Sequence, residues 1–304
     1  MLVFSLLLFA QFAAIAFAAP AAIPPVLEAR QSVTTLSASQ VAAYKPYTHY
    51  ANAAYCPPAK TLAWDCGTRC SSNPTFVPIA SGGDGGDTQY WYVGWDPSLK
   101  TLVVGYQGTD SSKILPIITN INFGLQSLRT DLFPGLSSDL KTHDGFGDAH
   151  ARSAAAVLAA VRSGISKYAA TKVTLTGHSL GGAIAIVATA HLAVNLPTSI
   201  GLRTITYGSP RVGNQAFADY VNARAEMNRI DNQDDPVPIL PGRFLGFSHT
   251  EGEVHIVNSG AWKNCPGQDN TDAECTIGYV PNVLSGDAGD HGGPYDGVSL
   301  GGGC

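Results

Sequence analysis

The chain has 304 residues, 45% of them hydrophobic and only 13% charged, with a net charge of −5. A chain this apolar is not a disordered segment, and its acidic balance lacks the basic patch that nucleic acid or an anionic membrane surface recruits. The length suits one α/β domain with a single core.

In chain order, the first element is an almost unbroken apolar run over residues 2–19 (LVFSLLLFAQFAAIAFAA), interrupted only by Gln11 among strongly polar side chains. It ends in small residues of the kind signal peptidase cuts and is followed by an Ala/Pro-rich stretch without stop-transfer charges. We expect residues 1–18 to be a signal peptide, 19–30 a pro-segment, and 31–304 a single domain of a secreted protein with no integral membrane span. The six cysteines, Cys56, Cys66, Cys70, Cys265, Cys275 and Cys304, all follow that segment and suit an oxidising compartment. Cys66 and Cys70, and Cys265 and Cys275, are close enough for local staples, which leaves Cys56 and Cys304. No Cys-x-x-Cys or matching His pair suggests zinc, so no metal is expected.

Strands are expected at 88–95 (TQYWYVGW) and 101–106 (TLVVGY), where β-branched and aromatic residues cluster, joined as a hairpin by the turn Asp96-Pro97-Ser98. A helix at 148–170 then precedes a strand at 172–176 (KVTLT). The stretch 181–196 (GGAIAIVATAHLAVNL) is apolar all round, as a helix buried against a sheet would be. A strand at 203–207, a helix at 215–226 and a strand at 253–257 follow. Helices alternating with short strands imply an α/β fold with a mostly parallel central sheet covered on both faces.

The most informative residues are Gly177-His178-Ser179-Leu180-Gly181-Gly182. They match G-x-S-x-G and fall between a strand and a helix, where a sharp turn can expose a serine hydroxyl beside the free N–H groups of a helix start. Ser179 is therefore the candidate nucleophile, and the N–H of Leu180 a candidate oxyanion donor. His178, its neighbour, is expected to pack, as is His143. A serine needs a base, and the base an acid, in the chain order Ser, Asp/Glu, His. Asp231, Asp234 and Asp235 cluster after a strand-like segment, and spacing cannot choose between Asp234 and Asp235. Three histidines follow them: His249 in a Ser-His-Thr loop, His255 in a strand pattern, and His291 in a Gly/Asp-rich loop (SGDAGDHGGPYDG). The loop position favours His291 as the base and leaves the other two open.

GHSLGGA, with YGSPRVGN at 207–214, Asp235-Pro236-Val237-Pro238 and His143-Asp144-Gly145-Phe146, resembles the fungal class 3 lipases from about Tyr50 to the C-terminus. The resemblance implies an α/β-hydrolase fold and a triad of Ser179, Asp235 and His291. It also implies Thr109 as a second oxyanion donor and the disulfides Cys56–Cys304, Cys66–Cys70 and Cys265–Cys275. The apolar segment 111–125 matches the family's lid, with Ile114, Leu115, Ile117, Ile118, Ile121 and Phe123 as candidate lipid-facing residues. Two departures stand out, Gln107 where relatives commonly carry Arg, and the absence of a lid Trp. The implied activity is that of a secreted, monomeric carboxylic ester hydrolase needing no cofactor. Its expected substrates are acylglycerols at an oil–water interface, with feruloyl or other short-chain esters as the alternative. A catalytically silent ligand-binding fold is the remote third reading.

Overall fold

A computed structural model describes residues 32–109 and 124–304. The expected leader and pro-segment, and all six lid candidates, lie outside the described residues.

The strands, in chain order, are β1 (Thr34–Thr35), β2 (Val77–Gly82), β3 (Trp91–Asp96), β4 (Thr101–Tyr106), β5 (Leu125–Ser127), β6 (Lys141–His143), β7 (Lys172–His178), β8 (Gly201–Tyr207), β9 (Gly213–Asn214), β10 (Glu226–Asn232), β11 (Phe247–Ser248), β12 (Glu253–Ile256) and β13 (Trp262–Cys265). The main helices are α1 (Lys45–Ala53), α2 (Asp144–Tyr168), α3 (Leu180–Asn195) and α4 (Gln215–Asn222). Among the described residues, nine strands form one sheet in the order β1-β13-β12-β10-β8-β7-β4-β3-β2. The five central strands β4, β7, β8, β10 and β12 run parallel, and antiparallel strands finish both edges. This is the mostly parallel α/β sheet the alternation implied.

The period of two along the strands decides which helix meets which face. Leu102 and Val104 of β4 join Val173 and Leu175 of β7 in a core with Val157 and Val161 of α2 and Ile184 and Leu192 of α3. Val103 points the other way, into a cluster with Tyr50 of α1, Phe76, Tyr92, Ile205 and Ile230. Both faces are thus covered by helices. α3 is buried on every side because its remaining residues, among them Ile186 and Val187, meet Phe217 and Val221 of α4. That is why its sequence shows no polar stripe.

The hairpin β3–β4 forms as expected, with Asp96 accepting from the N–H groups of Ser98 and Leu99 in its turn. Boundaries move elsewhere: the helix read at 148–170 begins at Asp144, and the helix read at 215–226 ends at Asn222, ahead of β10, which begins at Glu226. Several features were not read, among them the helix α1, the strands β1, β13 and β2 toward the sheet edges, and a small sheet in the order β11-β9-β6-β5 built from strands of two or three residues. Three disulfides join Cys56 to Cys304, Cys66 to Cys70 and Cys265 to Cys275.

Candidate active site

The site is assembled at the C-terminal edge of the parallel strands, where open α/β sheets present their loops. β7 ends at His178 and α3 begins at Leu180, so Ser179 alone makes the turn, at φ 57° and ψ −126°. A side-chain-bearing residue with positive φ is strained, and here the surroundings impose it. A Cβ at Gly177 would collide with the backbone of Gly181, and one at Gly181 with the carbonyl of Tyr106. The two glycines of the motif therefore let the strand, the turn and the end of β4 come together. Ser179 N–H donates to the Tyr207 carbonyl at 2.9 Å, tying the turn to the end of β8. Leu180 opens α3, so its N–H has no intrahelical acceptor.

Just past Tyr207, Gly208 has φ +52°, and a Cβ there would lie 2.8 Å from Asp235 Oδ2 and 3.0 Å from His291 Nδ1. The backbone next to the serine turn is thus also the floor beneath an Asp–His pair. His291 Nδ1 lies 2.8 Å from Asp235 Oδ2, with both side chains 1% exposed. A carboxylate accepts, so Nδ1 carries the proton and Nε2 is left with its lone pair. Asp235 Oδ1 accepts from Val237 N–H at 2.9 Å, so both carboxylate oxygens are engaged. His291 Nε2 is buried and, among the described residues, has no hydrogen-bond partner. A buried imidazole nitrogen that receives no donor is free to accept a proton, and the contacts of such bases commonly tighten only when substrate binds.

His291 does not sit in a loose loop, as its glycines and aspartates suggested, but in a 3-10 turn, Ala288–Gly292. Asp287 caps that turn by accepting from Gly289 N–H, and Asn232 at the end of β10 donates to the Asp290 carbonyl at 2.8 Å. The two other open histidines are elsewhere. His249 is buried with Nε2 2.6 Å from the Pro238 carbonyl, and His255 bridges the carbonyls of Glu274 and Gln233. Asp234 contacts Asn258, and Asp231 pairs with buried Arg229; among the described residues neither carboxylate is hydrogen-bonded to a histidine. His143 is buried and stacks on Phe146 at 4.3 Å. Thr109, at the end of the described segment after β4, is partly exposed. The Gln107 side-chain oxygen accepts from Tyr90 N–H at 2.8 Å.

His178 is buried and packed against neighbouring rings, as expected, and it is hydrogen-bonded as well. Burial holds its imidazole well below the usual histidine range, with the nearby His291 adding to the effect. Its nitrogens contact Tyr55 Oη at 2.6 Å and the His291 carbonyl at 2.8 Å. The sequence signal was its place next to the serine, but its partners, 123 and 113 residues away, carry no local mark. Among the described residues, one group has metal-ligand spacing, Glu253 with Cys265 and Cys275, and its sulfurs are joined in a disulfide.

The family Lipase (class 3) matches residues 103–245, a span that includes Ser179 and Asp235 and stops short of His291. A secreted mono- and diacylglycerol lipase of Fusarium solani is 33% identical over 254 residues, 80% of this chain and 72% of that protein. One from Malassezia restricta is 33% identical over 59% of this chain and 58% of its own length. Among solved structures, the Rhizomucor miehei lipase in its propeptide complex superposes with a TM-score of 0.77 at 27% identity, covering 90% of this chain and 85% of that one. A triacylglycerol lipase structure, described as having a serine protease triad at its catalytic centre, gives 0.74 at 27% identity over 87% of this chain and 97% of its own.

Proposed function

The chain belongs to the class 3 lipase family, and from that premise we propose that it is a secreted lipase that hydrolyses acylglycerol esters through Ser179, Asp235 and His291. The observation that carries this reading is His291: one ring nitrogen is bound to Asp235, and the other is buried without a hydrogen-bond partner among the described residues, while Ser179 is held at positive φ in the strand-to-helix turn.

His291 Nε2 takes the Ser179 proton as Oγ attacks the ester carbonyl, and Asp235 holds the ring and stabilises the imidazolium. The oxyanion is bound by the N–H of Leu180 and by Thr109, each such donor contributing about 3 kcal/mol. His291 then protonates the leaving glycerol oxygen. Water, deprotonated by the same nitrogen, attacks the acyl-enzyme and releases the fatty acid with Ser179 restored. Nothing in this sequence needs a cofactor.

The chain is proposed to act as a monomer at a lipid–water interface. Secretion fits the relatives, which are named secreted lipases, and the three disulfides, which need an oxidising compartment. No helix of the described residues is long and apolar enough to cross a membrane.

The test is hydrolysis of p-nitrophenyl esters from acetate to palmitate, and of mono-, di- and triolein, below and above substrate solubility. Ser179→Ala is expected to lose at least about a thousandfold in rate with its melting temperature kept. A rate jump once an interface forms is expected in the wild type. Retained activity in Ser179→Ala would overturn the assignment, and activity confined to soluble short esters would turn the reading to an esterase.

A further inference from the structure

One buried group at the site is unused by the mechanism above. His178 is the last residue of β7 and is fully buried. Its Nε2 lies 2.8 Å from the His291 carbonyl oxygen, which can only accept, so Nε2 carries a proton. Burial disfavours the charged form, so the ring is neutral and Nδ1 is a bare acceptor. The group facing Nδ1 at 2.6 Å is the Tyr55 phenol, which is therefore the donor. The tautomer of His178 is thus set by partners on both sides. Tyr295 Oη donates to the same His291 carbonyl at 3.1 Å, and burial keeps that phenol protonated.

The place of Tyr55 is as informative as its bond. A Cβ at Gly108 would collide with the Tyr55 hydroxyl and with the His178 carbonyl, so the phenol lies against the backbone just before Thr109. The next residue, Cys56, is tied to Cys304. Tyr55 and His178 therefore occupy the junction of three segments, those carrying the proposed oxyanion donor, the nucleophile and the base. The rings of His178 and His291 are 4.5 Å apart. At that distance a charged His178 would oppose the imidazolium that His291 becomes when it takes the serine proton, whereas a neutral one does not.

We propose that Tyr55 and His178 are positioning residues for the base: the Tyr55 hydroxyl donates to His178 Nδ1, and His178 Nε2–H donates to the His291 carbonyl, fixing where the His291 ring stands relative to Ser179. The inference rests on the proposed triad. It differs from simple packing in what it demands of the replacements. Glutamine at 178 can still donate an amide N–H to a carbonyl and accept from a phenol, whereas phenylalanine can do neither.

The experiment uses the full-length secreted protein and soluble p-nitrophenyl butyrate. It measures kcat, KM and melting temperature for Tyr55→Phe, His178→Gln, His178→Phe and the double variant Tyr55→Phe/His178→Phe. Loss of alignment at the base is expected to lower kcat about tenfold in Tyr55→Phe and about a hundredfold in His178→Phe, with KM within about twofold. His178→Gln is expected to recover most of the loss, and the double variant to be no slower than His178→Phe. The proposal is overturned if Tyr55→Phe keeps kcat within about twofold of wild type, if the two losses multiply, or if glutamine is as poor as phenylalanine. Should His178→Phe fail to fold, Tyr55→Phe and His178→Gln decide by the same criteria. Ser179→Ala and His291→Ala run alongside; activity in either would instead remove the triad on which the relay rests.

Discussion

Arg229 has no exposed surface, yet it lies between two carboxylates, 3.5 Å from Asp231 Oδ2 and 3.5 Å from Glu253 Oε2. Its Nε donates to the Thr250 carbonyl, while Thr276 donates its hydroxyl to Asp231 and its N–H to Glu253. The cluster sits on β10 and β12, directly before the turn that carries Asp235. Burial raises the Asp231 carboxyl above its usual range, with Arg229 opposing that shift and Glu253 adding to it. Arg229→Met removes the cation and leaves two buried acids, so it should cost about 3–5 kcal/mol in urea unfolding. The sign of its pH dependence follows from the raised carboxyl. A folded-state pKa above the unfolded value gives stability below the unfolded pKa that is lost as pH rises. Without Arg229 that loss deepens, so the variant's deficit should grow from pH 5 to pH 8; a deficit flat across that range would argue against the cluster. At this scale the strand–turn–helix around the proposed nucleophile was legible, because G-x-S-x-G and its flanking strand and helix are local. Asp235 and His291 were not separable from their neighbours by spacing alone, since their contact spans 56 residues. The loop position favoured His291, and the family resemblance chose Asp235.

Long elements were readable because each buries a continuous apolar face, as α3 does between the central sheet and α4. The edge strand β2 was missed because Pro78 and its small residues do not look like a strand. Proline is tolerated at a sheet edge, and the pairing of β2 with β3 shifts register between Pro78 and Ala80. The 3-10 turn holding His291 was missed for a different reason: besides its own Asp287 cap, it is held by Asn232 and the Asp234 backbone, which lie far away in the sequence. The C-terminal tail shows the same dependence on distant partners. Arg69 donates to the carbonyls of Gly301, Gly302 and Gly303, and the last residue is bonded to Cys56, 248 positions earlier. Opening so long a loop enlarges the unfolded ensemble, so replacing both Cys56 and Cys304 by serine should cost about 2–5 kcal/mol. Because Tyr55 adjoins Cys56, the same variant should lose kcat on soluble ester at temperatures well below its melting point. Unchanged stability in the oxidised protein would show that Arg69 alone holds the tail.

Across the whole molecule, several histidines are buried in neutral form, and this sets how the fold meets acid. His150 of α2 and His191 of α3 stack edge to face at 4.9 Å with Phe133 against both, in the layer between the two helices. Neither ring nitrogen of His150 has a hydrogen-bond partner among the described residues. Burial lowers His150 from 6.5 to about 3, helped by its neighbour His191, and lowers His191 to about 4, helped by Arg162. Burial pushes His178 and His249 in the same direction. For each, the unfolded chain binds a proton that the folded one refuses between those values. The associated stability is complete above pH 6.5 and is lost as pH falls from 6.5 toward the folded-state value. The window from pH 6.5 to 5 is where this effect is expected to show, because unfolded carboxylates titrate below it. Over that window the unfolding free energy should fall by up to about 1.4 kcal/mol per pH unit for each such histidine. Asp231, with its raised carboxyl, works in the opposite sense, so the difference between wild type and a variant is the quantity to read. His150→Leu, close in volume and unable to take a proton, should lose less stability over that range, its curve of free energy against pH being shallower by about one proton. If urea unfolding of the two proteins gave parallel curves from pH 6.5 to 5, the buried pair would not be the acid-sensitive element, and the remaining candidates would be His178 beside the nucleophile and His249 beneath the Pro238 carbonyl.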